Sequence, residues 1–94
     1  MTPEIKSGIT TMHRVYVVVP DITHDYLVMN QGEERRFDKE LAAAFYLNAS
    51  SGSNQYGEHE EWADFTDKMN AEAALSRAYS IVDEFTQLAL KDKP

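Results

Sequence analysis

The sequence predicts an α+β fold, in which a short antiparallel β-meander of about three strands carries two or three helices on one face. A β-branched and aromatic run over residues 12–19 is typical of a strand. Residues 71–91 repeat apolar side chains at spacings of three and four, which predicts a long amphipathic helix. The chain has 94 residues, the size of one domain. We therefore expect a loose tail over 1–11 and a single domain over 12–94.

The first predicted strand covers residues 12–19 and ends at Pro20. Alternation places three valines on one of its faces, namely Val15, Val17 and Val19. The other face carries Arg14, Tyr16 and Val18. Because residues 15–18 are apolar on both sides, we predict that this strand is central in the sheet.

The rest of the predicted meander lies between residues 26 and 37. Residues 26–30 are compatible with a second strand, and Asn30-Gln31-Gly32 has the composition of a turn. Residues 35–37 would return as a short third strand. The sheet would then be built entirely from residues 12–37.

A helix is predicted over residues 39–47, with Asp38 as its N-cap. One face of this helix would be mostly apolar, carrying Leu41, Ala44, Phe45 and Asn48. The run Ser50-Ser51-Gly52-Ser53-Asn54 has loop composition and would end the helix.

Two interpretations fit residues 58–65. A helix would place Trp62, Phe65 and Met69 on one stripe, whereas a strand would separate Trp62 and Asp64 from Ala63 and Phe65. We favour a helix at the start of this segment.

The last helix would begin after Asn70 as its N-cap. Its apolar stripe comprises Ala71, Ala74, Leu75, Ala78, Ile81, Val82, Phe85, Leu88 and Ala89.

The composition excludes several classes of protein. No cysteine is present, so disulfides and cysteine zinc sites are impossible. No apolar run approaches the roughly 20 residues that a membrane-spanning helix needs. Direct nucleic-acid binding is not expected, because Lys and Arg are neither numerous nor clustered. The first residues lack the apolar core of a secretion signal, so we expect a cytoplasmic protein.

Acidic residues are concentrated in the second half of the chain. The formal net charge of −7 divides into −2 over residues 1–47 and −5 over 48–94. Between Glu40 and Asp67 there are six acids and no Lys or Arg. This segregation favours an acidic patch that docks on a basic protein, although a solvated face that keeps the chain soluble is an alternative. The candidate partner-binding residues are Tyr56, Glu58, Glu60, Glu61, Trp62, Asp64 and Asp67.

The sequence contains no established catalytic or metal-binding motif. His59 beside Glu60, Glu61 or Asp64 supplies possible metal ligands, as do Asp21, His24 and Asp25, but neither set matches an HExxH or EF-hand pattern. No cysteine nucleophile or GxSxG serine occurs. We predict no metal, no cofactor, no catalytic residue and no enzymatic activity.

The basic pair Arg35-Arg36 has two interpretations. It could join Arg14 and Lys39 in a small positive patch. We favour the second interpretation, in which these bases pair with the nearby acids Glu33, Glu34 and Glu40.

The whole-chain profile resembles the small acidic accessory proteins of phages and mobile elements, including anti-CRISPR proteins and nucleic-acid-mimic inhibitors. The shared traits are the length, the absence of cysteine, the acidic segment 58–67 and the short α+β layout. The resemblance implies inhibition through a host protein's nucleic-acid site or interface. If residues 58–67 were helical, their carboxylates would imitate a row of phosphates.

Two other hypotheses remain open. One is a structural or regulatory homodimer that uses Tyr16, Tyr26 or the outer face of the last helix. The other is a small hydrolase or metal-dependent enzyme, which only His59 and its acidic neighbours suggest.

Overall fold

A computed structural model describes residues 11–46 and 49–92 of the chain. In these residues an α+β fold is formed by three strands and three helices, which confirms the predicted fold class. In chain order the elements are β1 (His13–Val19), α1 (Asp21–Met29), α2 (Gln31–Ala44), β2 (Ser50–Ser53), β3 (His59–Phe65) and α3 (Lys68–Asp92). Of the predicted tail, only residue 11 lies within the described residues.

The three strands form one antiparallel sheet in the order β1-β3-β2. The prediction that β1 is the central strand was therefore wrong, because β3 lies between the other two. β1 is apolar on both sides for another reason. Val17 and Val19 are buried in the core, whereas Tyr16 on the opposite face contacts the ring of Trp62.

The predicted second and third strands, 26–30 and 35–37, are both helical. Residues 26–29 belong to α1, and residues 35–37 lie inside α2. Thr23 and Leu27 are buried one helical turn apart, so a helical period of apolar residues replaces the assumed alternation. Short apolar runs fit both periods, and here tertiary burial decides between them.

Asn30 separates the two helices instead of forming a hairpin turn. Its side-chain amide donates to the carbonyl of Tyr26 at 2.7 Å, and its own carbonyl accepts from the backbone N–H of Glu34. One residue thus ends α1 and starts α2. Asp38, the predicted N-cap, lies in the interior of α2. The buried face of Leu41, Ala44 and Phe45 is confirmed, and Asn48 lies outside the described residues.

Residues 50–53, predicted as loop, form β2 and pair with β3 as a hairpin. In the connecting turn, the side chain of Asn54 accepts from the backbone N–H groups of Tyr56 and Glu58. Gly57 adopts a φ of +80°, which favours glycine. The helix favoured at the start of 58–65 was wrong. The alternative strand is present, with Ala63 and Phe65 buried on one face.

α3 confirms the predicted amphipathic helix and begins three residues earlier than expected. Asp67, rather than Asn70, caps it, because its carboxylate accepts from the backbone N–H of Met69 at 2.9 Å. The buried residues of α3 are Ala71, Ala74, Ala78, Ile81, Val82, Phe85 and Ala89.

The core lies between the helices and one face of the sheet. Phe85 of α3 is fully buried and meets Phe37 of α2 edge to face, with ring centroids 5.2 Å apart. Val17, Val19, Ala63 and Phe65 supply the sheet's share of this cluster. We call this side of the sheet the inner face. The opposite side, the outer face, carries Arg14, Tyr16, Val18, Ser50, Gly52, Glu60, Trp62 and Asp64.

Candidate functional site

The predicted acidic segment is divided between the two faces of the sheet. Because successive side chains of a strand alternate, Glu60, Trp62 and Asp64 lie on the outer face, whereas His59 and Glu61 lie on the inner one. The helical row of carboxylates that would imitate phosphates does not form. What remains of the predicted patch is an outer-face surface, together with the turn that precedes β3.

Trp62 is the centre of the outer face. Its ring centroid lies 6.3 Å from that of Tyr16, which is opposite it on β1. On the other side the indole lies close to Gly52, where a Cβ atom would be only 3.3 Å from the indole Cη2 atom. Tyr16 is 46% exposed. The pair forms an aromatic surface that no described helix covers.

Asp64 does not contribute a free charge to this surface. The guanidinium of Arg14 donates from Nε and Nη2 to the two carboxylate oxygens at 2.7 and 3.0 Å. This hydrogen bond holds the pKa of Asp64 below its usual value. Arg14 also lies 6.0 Å from the Trp62 ring centroid, at the outer limit of a cation–π contact. The charge of Asp64 is thus neutralised next to the aromatic pair.

The other predicted partner-binding residues have different environments. Asp67 is used as the cap of α3. Glu58 accepts a hydrogen bond from the Asn54 side chain in the hairpin turn, where Tyr56 is 76% exposed. Within residues 11–46 and 49–92, no Lys or Arg forms an ion pair with Glu58 or Glu60. Glu60 on the outer face and Glu58 in the adjoining turn are therefore the acids of the predicted set that no described Lys, Arg or His neutralises and that do not cap a helix.

A second polar site lies at the inner side of β3, against α1 and α2. His59 stacks on His24 of α1, with ring centroids 5.0 Å apart and an angle of 24° between the planes. The Nε2 atom of His59 lies 3.0 Å from a carboxylate oxygen of Glu61. These groups line a cleft of about 190 Å³, with Glu34 and Asp38 at its rim. We call it the histidine cleft.

Burial governs the acids of the histidine cleft. It raises the pKa of Glu61, while the hydrogen bond with His59 opposes the change. Burial likewise raises the pKa of Asp38, and the nearby charge of Glu34 adds to this. A neutral carboxyl is therefore easier to form here than on the open surface.

The histidine cleft joins residues that the sequence placed in two separate candidate metal sets. His24 and His59 meet because residues 21–29 form a helix, and the predicted meander concealed this contact. The alternation of β3 sends Glu60 and Asp64 away from His59. Among the described side chains, no three His, Asp or Glu groups are arranged to hold a metal ion.

Arg36 shows how the predicted basic pair is used. It forms ion pairs with Glu33 and Glu40 on α2, at 3.0 and 2.9 Å, and with Glu84 on α3 at 2.9 Å. Its guanidinium lies 4.2 Å from the Phe85 ring centroid. The predicted pairing with Glu33 and Glu40 is confirmed, whereas the predicted partner Glu34 forms no ion pair with a described Lys or Arg. The pairing with Glu84 was not foreseen. Arg36 thus links α2 to α3.

No protein-family model, curated protein or solved structure matches the chain. In the part of the chain that the structure describes, no helix has both the length and the apolar character needed to cross a bilayer.

Proposed function

We propose that the chain is a non-enzymatic protein-binding inhibitor or regulator, whose outer face docks on a basic surface of another protein. The observation that carries the proposal is the Tyr16–Trp62 pair, in which Tyr16 is exposed and Trp62 half-buried, on a sheet face that no described helix covers. Two glutamates, Glu60 on the same face and Glu58 in the adjoining turn, form no ion pair with a described Lys or Arg. Tyr and Trp are frequent binding hot spots, because their large rings lose little conformational entropy when they are covered.

The charges favour a cationic partner. The chain carries a net charge of −7, and β2 and β3 contain no Lys or Arg. Arg14 is neutralised by Asp64, so Glu58 and Glu60 determine the local charge. Such a surface would steer a basic protein towards the aromatic pair and disfavour an acidic one. The partner's basic surface could itself be a nucleic-acid-binding site, as the resemblance to phage accessory proteins implies.

Charge reversal on two surfaces tests the proposal. In Glu58→Lys/Glu60→Lys the change lies on the outer face and in the turn that leads into it. The control Glu72→Lys/Asp83→Lys makes the same change in net charge at exposed positions of α3. Both leave the Arg14–Asp64 pair and the Asp67 cap intact. The immobilised wild type and both variants are compared for the proteins that they retain from a cell extract.

We expect a protein with a basic surface to be retained by the wild type and by the α3 variant, and lost from the β3 variant. With the purified partner, the β3 variant should bind about tenfold more weakly, a difference of about 1.4 kcal/mol. High salt should weaken the complex. Competition by added DNA or RNA would identify the partner's surface as a nucleic-acid-binding one.

Two outcomes would contradict the proposal. One is equal retention of the same proteins by the wild type and both variants. The other is the absence of any protein that distinguishes the wild type from the β3 variant. Either would favour a solvated acidic face that serves only solubility.

A further inference from the structure

β1 is an edge strand of the sheet that the described residues form. It hydrogen-bonds to β3 on one side. Within the residues that the structure describes, no backbone group hydrogen-bonds to its outer edge. Every second residue of this seven-residue strand therefore directs its N–H and C=O groups to that side, which is a template for another strand.

β1 has few of the usual protections of an edge strand, since Arg14 is its only Lys, Arg, Asp or Glu. Proteins commonly block such edges with Lys, an internal Pro, a bulge or a very short strand. β1 has neither Lys nor Pro, and its register with β3 is continuous from His13 to Val19. The opposite edge of the sheet, β2, is only four residues long and rich in serine. The β1 edge is thus much the better suited to pairing.

We propose that β1 pairs antiparallel with β1 of a second copy of this chain, which joins the two sheets into one of six strands. Pro20 lacks an N–H group and follows directly after Val19, so it limits the ladder to His13–Val19. The middle of that ladder is Tyr16. A two-fold axis at Tyr16 then pairs Arg14 of one copy with Val18 of the other.

The position of Arg14 favours the antiparallel orientation over a parallel one. The start of the strand carries Arg14, whereas its end lies beside Glu60 of β3 and is followed by Asp21. Antiparallel pairing sets the Arg14–Asp64 ion pair of each copy, which has no net charge, beside the acidic end of the other. Parallel pairing in register would instead place Arg14 next to Arg14. The antiparallel orientation therefore avoids a like-charge contact at the interface, in agreement with the geometry of the two-fold axis.

The aromatic residues of the outer face fit the same arrangement. Tyr16 already packs on Trp62 across the β1–β3 pair. With Tyr16 on the axis, the two tyrosines lie opposite each other, so four aromatic rings form one row across the joined sheets. Aromatic cross-strand pairs stabilise neighbouring strands. The inference does not depend on the proposed basic partner.

Charge substitutions at the two-fold axis test the pairing. Tyr16→Glu and Tyr16→Lys would each place two like charges opposite each other, and the exposure of Tyr16 makes both compatible with folding. Sedimentation equilibrium over a concentration series should show the wild type approaching twice its 10.7 kDa monomer mass. Each variant alone should stay monomeric. An equimolar mixture of the two should recover the dimer mass, because the opposed charges then attract.

Met29→Glu serves as the control, since Met29 is 82% exposed at the end of α1 and does not belong to the sheet. It should dimerise like the wild type. The inference fails if the wild type is monomeric at every concentration. It also fails if Tyr16→Glu dimerises as the wild type does, or if the mixture does not recover the dimer.

Cysteine substitution gives a second test that does not rely on repulsion. The chain has no cysteine, so a single introduced thiol can bridge only to its copy. Directly opposed residues have Cα atoms about 4.5–5.5 Å apart, which a disulfide can span. Tyr16→Cys should therefore form a disulfide dimer on mild oxidation. Val18→Cys, on the same face but four residues out of register with its copy, should not. Equal cross-linking of the two variants, or none from Tyr16→Cys, would overturn the proposed register.

Discussion

At the scale of single residues, Glu61 is the clearest case of a side chain whose environment changes its chemistry. It belongs to an acidic run, yet its side chain is only 14% exposed, because the alternation of β3 turns it towards the helices. Burial disfavours its charged form, and the hydrogen bond with His59 only partly compensates. Glu61 is therefore a component of the histidine cleft and not part of the outer surface.

We predict that Glu61→Gln changes how stability depends on pH. Since the folded-state pKa of Glu61 is raised, the folded protein binds more protons than the unfolded chain between the ordinary glutamic pKa of about 4.3 and the raised value. Stability from this group thus increases as the pH falls through that window. Urea unfolding should show the wild type gaining stability relative to Glu61→Gln from neutral pH towards pH of about 4.

The same comparison, between Glu and Gln at position 61, can be repeated in a background that also carries His59→Phe. His59→Phe keeps a ring against His24 but removes the hydrogen bond that lowers the pKa of Glu61. In that background the gain should begin at a higher pH. A difference between the Glu and Gln forms that stays flat with pH, or that has the opposite sign, would refute the assignment.

At the scale of elements, α3 could be predicted from the sequence because its periodicity is long. Seven of its residues are buried at spacings of three and four, and no strand pattern competes over 25 residues. α1 has only nine residues and two buried positions, so the same rule could not separate helix from strand there. The β2–β3 hairpin was missed because the composition of Ser50–Ser53 suggests a loop, whereas pairing with β3 makes it a strand.

The N-terminus of α3 gives a prediction at this scale. Asp67→Ala removes the carboxylate that accepts from the Met69 N–H, and it should lower the free energy of unfolding by about 1 kcal/mol. Asp67→Asn should retain most of the stability, because Asn is an equally good N-cap. Asn70→Ala, at the position that the sequence suggested, should have little effect. Urea titrations of the three variants check this, and a larger loss from Asn70→Ala would show that the cap is misassigned.

At the scale of the whole molecule, the number of strands in the sheet could be predicted from the sequence, but not which segments form them. Two helices and β2 separate β1 from its partner β3 along the sequence. A hydrophobic pattern within one segment cannot indicate a pairing partner so distant in sequence. The same holds for the outer face. Tyr56 and Trp62 are candidate partner-binding residues from the sequence alone, but the ion pair that neutralises Asp64 depends on Arg14, fifty residues earlier. Local chemistry was predictable here, and long-range pairing was not.

A buried hydroxyl pair links the first helix to the last. Thr23 of α1 is fully buried, and its Oγ1 lies 2.7 Å from the Oγ1 of Thr86 on α3. Thr86 in turn donates to the carbonyl of Val82 at 2.7 Å, so Thr23 is the donor in the pair. The two threonines therefore have unequal roles.

We predict that Thr86→Val is more destabilising than Thr23→Val. The first substitution leaves the hydroxyl of Thr23 buried without an acceptor among the described side chains, which should cost about 1–3 kcal/mol. The second leaves Thr86 able to donate to Val82. The double variant should recover part of the loss, because no stranded hydroxyl remains. Thermal or urea unfolding of the wild type, the two single variants and the double variant checks this prediction. Equal effects of the two single substitutions would contradict it.

The position of Trp62 has a practical consequence. It is the only tryptophan of the chain, and it lies on the outer face beside Tyr16. The intrinsic indole fluorescence of the protein therefore reports on that face alone. A protein that covers the face should move the emission to shorter wavelengths as water leaves the indole. Changes confined to the histidine cleft, on the opposite side of the sheet, should affect this signal much less. The chain thus contains its own optical probe, and no label is required to follow events on this surface.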